Sequence, residues 1–208
     1  MAIDVDSRLE ALSREVAALK GSSAIANPAP LGLAGFGMTT LLLNLVNAEI
    51  IKTSEIGIVL PMGLFFGGLT QLLVGMWEFK KNNTFGATAF SAYGAFWLAY
   101  ATMKLFAGND IQAGPSPDGM MWFLIAWGIF TSYMFIGTLR LNVMLITVFG
   151  LLVILFFLLA WGQHSDTVHQ IAGYEGLAVA AAALYGSAAQ VINETWGRVV
   201  LPLGVIKK

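Results

Sequence analysis

Nine consecutive apolar residues, Leu151-Leu152-Val153-Ile154-Leu155-Phe156-Phe157-Leu158-Leu159, indicate what kind of protein this is. They lie within a longer apolar stretch, Leu141 to Gly162. A helix needs about 20 such residues to cross a hydrocarbon core about 30 Å thick. A strand of a membrane barrel would alternate apolar and polar residues, and this run does not alternate. The stretch therefore predicts a membrane-spanning α-helix.

Five further stretches have a similar length and composition. Together they predict six spans, at Pro30 to Ala48, Ile56 to Trp77, Phe85 to Phe106, Met120 to Leu139, Leu141 to Gly162 and Ile171 to Ile192. Of the 208 residues, 57% are apolar and only 11% are charged, whereas soluble domains carry about 25% charged residues. A chain of this size cannot hide so much apolar surface from water. We therefore expect an all-α, polytopic membrane protein.

The positions of Lys and Arg predict the orientation. Only Lys52 and Lys104 fall on one side of the six spans. The other side holds the remaining basic residues, which are Arg8, Arg14, Lys20, Lys80, Lys81, Arg140, Arg198, Lys207 and Lys208. Because basic residues stay in the cytoplasm, both termini are expected there, with the chain in the cytoplasmic membrane. The expected divisions are a cytoplasmic amphipathic segment (1–26), a six-helix transmembrane domain (27–193) and a cytoplasmic tail (194–208).

The segment before the first span carries an apolar stripe at heptad spacing, formed by Val5, Leu9, Leu12, Val16 and Leu19. Two heptads are marginal for a coiled coil. The stripe is compatible with an interfacial amphipathic helix, a helix bundle that forms an oligomer, or a frayed end.

Several classes of function lack the residues that they need. The net charge of −1 gives no electrostatic attraction to nucleic acid, and the absence of cysteine excludes a thiolate nucleophile or a Cys-ligated metal. His164 and His169 have no third ligand at metal-site spacing. No phosphate loop, nucleophile triad or buried carboxylate pair occurs. We therefore expect no enzyme, no metal and no cofactor.

The polar residues inside the expected spans are neutral. A charge at the bilayer centre costs at least about 2.5 to 3.5 kcal/mol, and none of the charged residues falls at mid-span; Glu78, Glu175 and Glu194 come nearest. Thr40, Asn44 and Asn47 share one face of the first span, and Gln71 and Gln190 lie in the second and sixth. These side chains either hold helices together, at about 0.6 kcal/mol each, or line a pore.

Six motifs carry a resemblance to a known family. They are Asn27-Pro28-Ala29-Pro30-Leu31-Gly32-Leu33-Ala34-Gly35-Phe36-Gly37-Met38-Thr39-Thr40, Gly67-Gly68-Leu69-Thr70-Gln71, Glu78-Phe79-Lys80-Lys81-Asn82-Asn83-Thr84-Phe85-Gly86, Ser91-Ala92-Tyr93-Gly94-Ala95-Phe96-Trp97, Phe135-Ile136-Gly137-Thr138-Leu139 and Asn193-Glu194. The chain resembles the acetate uptake transporter family, the succinate/acetate permeases, from about Asn27 to Pro202.

The resemblance implies six spanning helices, a homohexamer and a pathway for acetate, and in some members succinate, through each protomer. It implies a constriction at Phe36, Tyr93 and Leu152, and places the signature residues Asn27, Pro28, Pro30 and Gly32 at the cytoplasmic mouth. At 1.5 Å per residue, the three constriction residues lie about 9, 12 and 16 Å from the cytoplasmic ends of their spans.

The expected mechanism uses neutral groups. Thr40, Asn44, Asn47, Gln71, Gln190 and the Tyr93 hydroxyl would contact the carboxylate on either side of the apolar constriction. The absence of a titratable group at mid-span favours channel-like passage or uniport. One alternative is a proton-coupled acetate/succinate symporter, for which only Glu78, Glu175 and Glu194 could serve, with Glu78 and Glu194 as the candidate proton-linked residues. The other alternative is a structural or sensory membrane protein.

Overall fold

The computed structural model describes residues 5–22, 25–108 and 113–206, and all regular secondary structure in these ranges is helical. The α-helices are α1 (Val5–Ser22), α2 (Ala29–Asn47), α3 (Ile56–Leu64), α4 (Gln71–Lys80), α5 (Thr84–Gly108), α6 (Pro117–Thr138), α7 (Val143–Trp161) and α8 (Asp166–Trp196). A π-helical segment (Phe65–Thr70) joins α3 to α4, so that the two form one rod.

Five of these rods are long and apolar enough to cross a membrane: α2, the α3–α4 rod, α6, α7 and α8. They confirm five of the expected spans as helices. The third expected span is also helical, since α5 has 25 residues. Its apolar run is interrupted by Ser91, Tyr93, Trp97 and Tyr100. The sixth crossing and the side on which the termini lie stay predictions.

Between the expected spans that end at Gly162 and begin at Ile171, the sequence predicts a polar turn at Gln163 to Gln170, and the structure corrects this. A 3-10 helix covers Gly162–His164, and α8 already begins at Asp166 instead of Ile171. The Ser165 hydroxyl accepts a hydrogen bond from the backbone N–H of Val168, at 3.4 Å, and so caps the helix early. Part of the break expected at Ala107 to Gly119, residues 109–112, lies outside the described residues.

The six rods form a closed ring. α2 packs against α8 and the α3–α4 rod, the rod packs against α5, α5 meets α6 lightly, and α6, α7 and α8 follow in order. Glycines bring α2 and α8 together, because a Cβ at Gly176 would overlap the Asn44 amide. We call the end where α2, α5 and α7 begin the terminal end, and the end with residues 48–55 and 162–165 the far end.

The tail folds back over the terminal end. Gly197 ends α8 with a φ of 62°, a backbone conformation that suits glycine. The carbonyls of Leu203 and Gly204 accept hydrogen bonds from the first N–H groups of α7, those of Met144 at 3.1 Å and Val143 at 2.9 Å. The tail thereby satisfies helix-end donors that would otherwise be unpaired.

Candidate functional site

A cavity of about 330 Å³ runs from the terminal end into the centre of the ring. Its mouth includes Asn27 and Asn83, together with Leu203 and Val205 of the tail. Apolar side chains of α2, α5 and α7 form most of its wall. The ring of helices therefore encloses a mainly apolar space with a polar opening.

Phe36, Tyr93 and Leu152 come together at the deep end of this cavity. They belong to α2, α5 and α7, and their side chains are 7%, 3% and 3% exposed. The ring centroids of Phe36 and Tyr93 are 5.9 Å apart. The three residues expected to form a constriction thus border one space, and their role in limiting passage stays a prediction.

Beyond the constriction, aromatic rings fill the bundle towards the far end. The ring of Phe96 lies 5.2 Å from Trp127, 5.4 Å from Phe156 and 5.5 Å from Trp97, measured between centroids. Tyr93 joins this packing through Trp127, at 6.1 Å. In this conformation the cavity is accessible from the terminal end, and the far half of the ring is packed.

The Tyr93 hydroxyl is hydrogen bonded to another helix. Its oxygen lies 2.9 Å from Oγ1 of Thr131, in α6. Thr131 Oγ1 donates its proton to the carbonyl of Trp127 at 2.7 Å, so Tyr93 is the donor in the first bond. The proton that was expected to meet a carboxylate is therefore used within the protein.

Asn27 organises the mouth of the cavity. Its Nδ2 donates to Oε1 of Gln190 at 3.0 Å, which ties the start of α2 to α8. Its Oδ1 accepts from the exposed Lys81 ammonium at 2.9 Å and from the Ala29 N–H at 3.3 Å. Both Asn27 and Gln190 line the cavity, so two predicted site residues bond directly to each other.

The remaining signature residues have structural positions. Pro28 and Pro30 lie at the start of α2, where the missing N–H of proline is tolerated. Gly32 lies directly beneath the ring of Phe90, in α5, and a Cβ there would overlap that ring. Gly32 therefore allows an aromatic residue of α5 to lie against the backbone of α2.

Glu78 lies behind the cavity wall. Its side chain is fully buried, and its Oε2 accepts a hydrogen bond of 2.8 Å from Asn83 Nδ2. Its Oε1 has no hydrogen-bond partner in the part of the chain that the structure describes. Asn83 also accepts from the Gly86 N–H at 3.1 Å, at the start of α5. Glu194 is exposed and borders an outer groove beside Pro30.

The polar stripe of α2 lies apart from the cavity. Asn44 donates to the Thr40 carbonyl at 2.8 Å and accepts from Asn47 at 3.2 Å. None of these three residues is among those that line the cavity, so their role in the pathway stays a prediction. Gln71 does line it, and its Oε1 is without a hydrogen-bond partner among the described residues.

Sequence reasoning gave no role to several side chains of the site. Phe90 and Phe149 line the cavity, as do Leu203 and Val205 of the tail. Phe149 lies three residues before Leu152 on α7, a spacing that places both on one face and could have indicated it. The tail residues carry no comparable periodic signal, because they reach the cavity through a turn.

Comparison with known proteins places the chain in a family. The model of the GPR1/FUN34/yaaH family matches residues 12–206. SatP of Escherichia coli K12, named a succinate-acetate/proton symporter, is 45% identical over 187 residues, covering 88% of this chain and 98% of that protein. Acetate permease A of Emericella nidulans is 37% identical, covering 86% and 65% of the two chains. The solved structure of the bacterial acetate channel SatP has a TM-score of 0.84 and 45% identity, covering 87% of this chain and all of that one. The chain belongs to the GPR1/FUN34/yaaH family.

Proposed function

We propose that this protein moves acetate and related small carboxylates across the cytoplasmic membrane. The observation that carries the proposal is the cavity that ends at Phe36, Tyr93 and Leu152. It is supported by relatives that are named as an acetate permease, a succinate-acetate/proton symporter and an acetate channel. The protein is then a transporter and not an enzyme.

The two parts of the cavity suit the two ends of the substrate. A bare carboxylate in a dry apolar medium would face an idealised cost of order 20 kcal/mol. At the mouth, the Asn27 and Asn83 amides and the Lys81 ammonium each have a further N–H besides the one bonded within the protein. At the deep end, the apolar constriction accommodates the methyl group and excludes larger acids. Gln71 also lines the cavity, and its side-chain N–H can donate to the carboxylate.

The proposal includes six crossings, with both termini in the cytoplasm, and a homohexamer with one pathway in each protomer. The 25-residue α5 is long enough to be the sixth crossing. The terminal end carries Lys80, Lys81, Arg140 and Arg198, which is the side that the positive-inside rule assigns to the cytoplasm.

Two transport modes remain candidates. Among the described residues, those that line the cavity include no Asp, Glu, Lys or Arg, which favours channel-like passage or uniport. The second candidate is proton-coupled symport, which the Glu175 carboxyl on α8 favours because neither of its oxygens has a hydrogen-bond partner among the described residues.

The proposal is tested with purified protein in liposomes by measuring initial uptake of isotope-labelled acetate above that of protein-free liposomes. Leu152→Trp places a larger side chain in the constriction, and we expect it to reduce uptake at least about tenfold. Ile154→Trp is the matched control, because Ile154 lies on the same helix but is 50% exposed on its outer surface. Normal uptake by Leu152→Trp would contradict the pathway, and no uptake by the unmodified protein would contradict the function.

A further inference from the structure

Glu175 is half-buried as a residue, but its carboxyl group is neither exposed nor hydrogen bonded. Its helix, α8, begins nine residues earlier at Asp166, so at 1.5 Å per residue Glu175 lies about 14 Å along the helix. Both carboxylate oxygens are closed off from the surface. Neither has a hydrogen-bond partner within residues 5–22, 25–108 and 113–206.

The face of α8 that carries Glu175 packs against α7. Positions 182 and 186 share a helix face with position 175, because they follow it by seven and eleven residues. Gly186 lies against Met144 of α7, and Ala182 borders a groove together with the same methionine. Glu175 therefore lies on the face of α8 that is turned towards α7.

The contacts at the two ends of the α7–α8 pair give its register. Gly162, just after α7, lies against His169, and near the other end Met144 lies against Gly186. Between these contacts, the antiparallel register places Glu175 level with about residue 155 of α7. That position is one helical turn from Leu152, at the constriction.

Among the described residues, no opposite charge lies on a helix that packs against Glu175. Lys104, of α5, interacts electrostatically with His169, nearer the far end. The helices that pack against α8 are α2 and α7, and neither contains a titratable residue. The 3-10 helix beside α8 contributes His164, whose Nε2 lies 3.1 Å from Oδ1 of Asp118. Nearer the far end, Glu49 accepts a hydrogen bond from Gln170. The other titratable groups on α8 itself are Asp166, His169, Tyr174, Tyr185 and Glu194.

We propose that Glu175 is the proton-binding site that links carboxylate transport to proton movement, an inference that rests on the proposed function. An unpaired charge between two apolar helix faces is strongly disfavoured, so in the packed conformation the carboxyl holds a proton. To release it, the carboxyl O–H bond breaks and the proton passes to a water molecule, which must first enter between α7 and α8. Because Leu152 is also on α7, the same movement shifts one side of the constriction.

The test separates net transport from exchange. Liposomes containing the unmodified protein or Glu175→Gln are held at zero membrane potential with valinomycin and potassium, and protein-free rates are subtracted. For the unmodified protein, an inward proton gradient should increase the initial rate of acetate uptake several-fold. Glutamine has the shape of the protonated carboxyl but cannot release a proton. Glu175→Gln should therefore keep acetate/acetate exchange within about twofold and lose the response to the gradient.

Glu55→Gln is the matched control, because Glu55 is an exposed glutamate of the far end, and it should respond as the unmodified protein does. A gradient response that survives in Glu175→Gln would overturn the proposal. The proposal would also be overturned if the rate of acetate uptake by the unmodified protein did not change with the proton gradient. No acetate uptake at all would instead contradict the proposed function.

Infrared spectroscopy tests the site independently of transport. The unmodified protein at neutral pH should show the C=O band of a protonated carboxyl, and Glu175→Gln should lack it. If that band is absent from the unmodified protein, or unchanged in Glu175→Gln, the proposal is wrong even where the variant transports nothing.

Discussion

Leu152 is the one aliphatic side chain of the proposed constriction, and shortening it leaves the Phe36–Tyr93 contact in place. Leu152→Ala should widen the passage and raise the uptake of a larger acid, such as succinate, relative to acetate by several-fold. The measurement is competition between the two labelled acids in liposomes. Leu159→Ala removes an equally large buried side chain that does not line the cavity, and should leave the ratio unchanged. If the ratio of succinate uptake to acetate uptake is unchanged in Leu152→Ala, Leu152 does not form part of the constriction.

The hydroxyl of Tyr93 provides a second prediction for a single residue. Because it donates to Thr131, Tyr93→Phe should lower the free energy of unfolding by about 0.6 kcal/mol, the typical value of such a bond between membrane helices. Acetate uptake should stay within about twofold. Thr131→Val removes the same bond from the other side and should behave alike. A loss of uptake in Tyr93→Phe alone would instead indicate a direct bond from the hydroxyl to the substrate.

Family motifs led to the prediction of a constriction at Phe36, Tyr93 and Leu152, but they did not indicate what those residues bond to. All three line the cavity, whereas Thr40, in the same motif as Phe36, does not, and their role in passage stays a prediction. The partner of Tyr93 is Thr131, on another helix, and the sequence does not say which helices are neighbours. Asn44 was predicted as a pore residue because it is polar and lies within a span. The sequence does not show that its hydrogen bonds join positions within α2.

At the scale of helices and their pairs, Gly176 sets the distance between α2 and α8. An added methyl group would overlap the Asn44 side chain, so Gly176→Ala should lower the free energy of unfolding by about 1 to 3 kcal/mol. Thermal unfolding in detergent measures this. Gly57→Ala is the control, since no atom lies within 4 Å of its Cβ position. Adding Asn44→Ala to Gly176→Ala should recover part of the loss, and strictly additive effects would contradict the proposed overlap.

The helices themselves were well predicted by apolar length, while their interruptions were not. The π-helical segment, Phe65–Thr70, was missed because the span was predicted from apolar length alone, although the Gly67-Gly68 pair is a signal of a helix interruption. The structure shows that the chain is closely packed here, because a Cβ at Gly68 would lie 2.6 Å from the Gly63 carbonyl and 2.7 Å from Leu98. The early start of α8 was missed because Asp166 and His169 are polar, although Ser165 could have been recognised as a cap.

For the whole molecule, the number of crossings decides whether the cavity opens to the cytoplasm. The chain contains no cysteine, so a single introduced cysteine can be labelled without background. With six crossings, Ser54→Cys and Gly114→Cys at the far end should react with a membrane-impermeant maleimide in intact cells. Asn82→Cys and Arg198→Cys at the terminal end should react only after the membrane is opened.

This pattern follows from α5 crossing the membrane. If α5 did not cross, residues 82 and 198 would lie on opposite sides, and one of them would be labelled in intact cells. Each variant must also take up acetate, so that its labelling reports the functional protein. Protection of both terminal-end positions, with labelling of both far-end positions, would place the polar mouth formed by Asn27 and Gln190 in the cytoplasm and the packed aromatic half towards the outside.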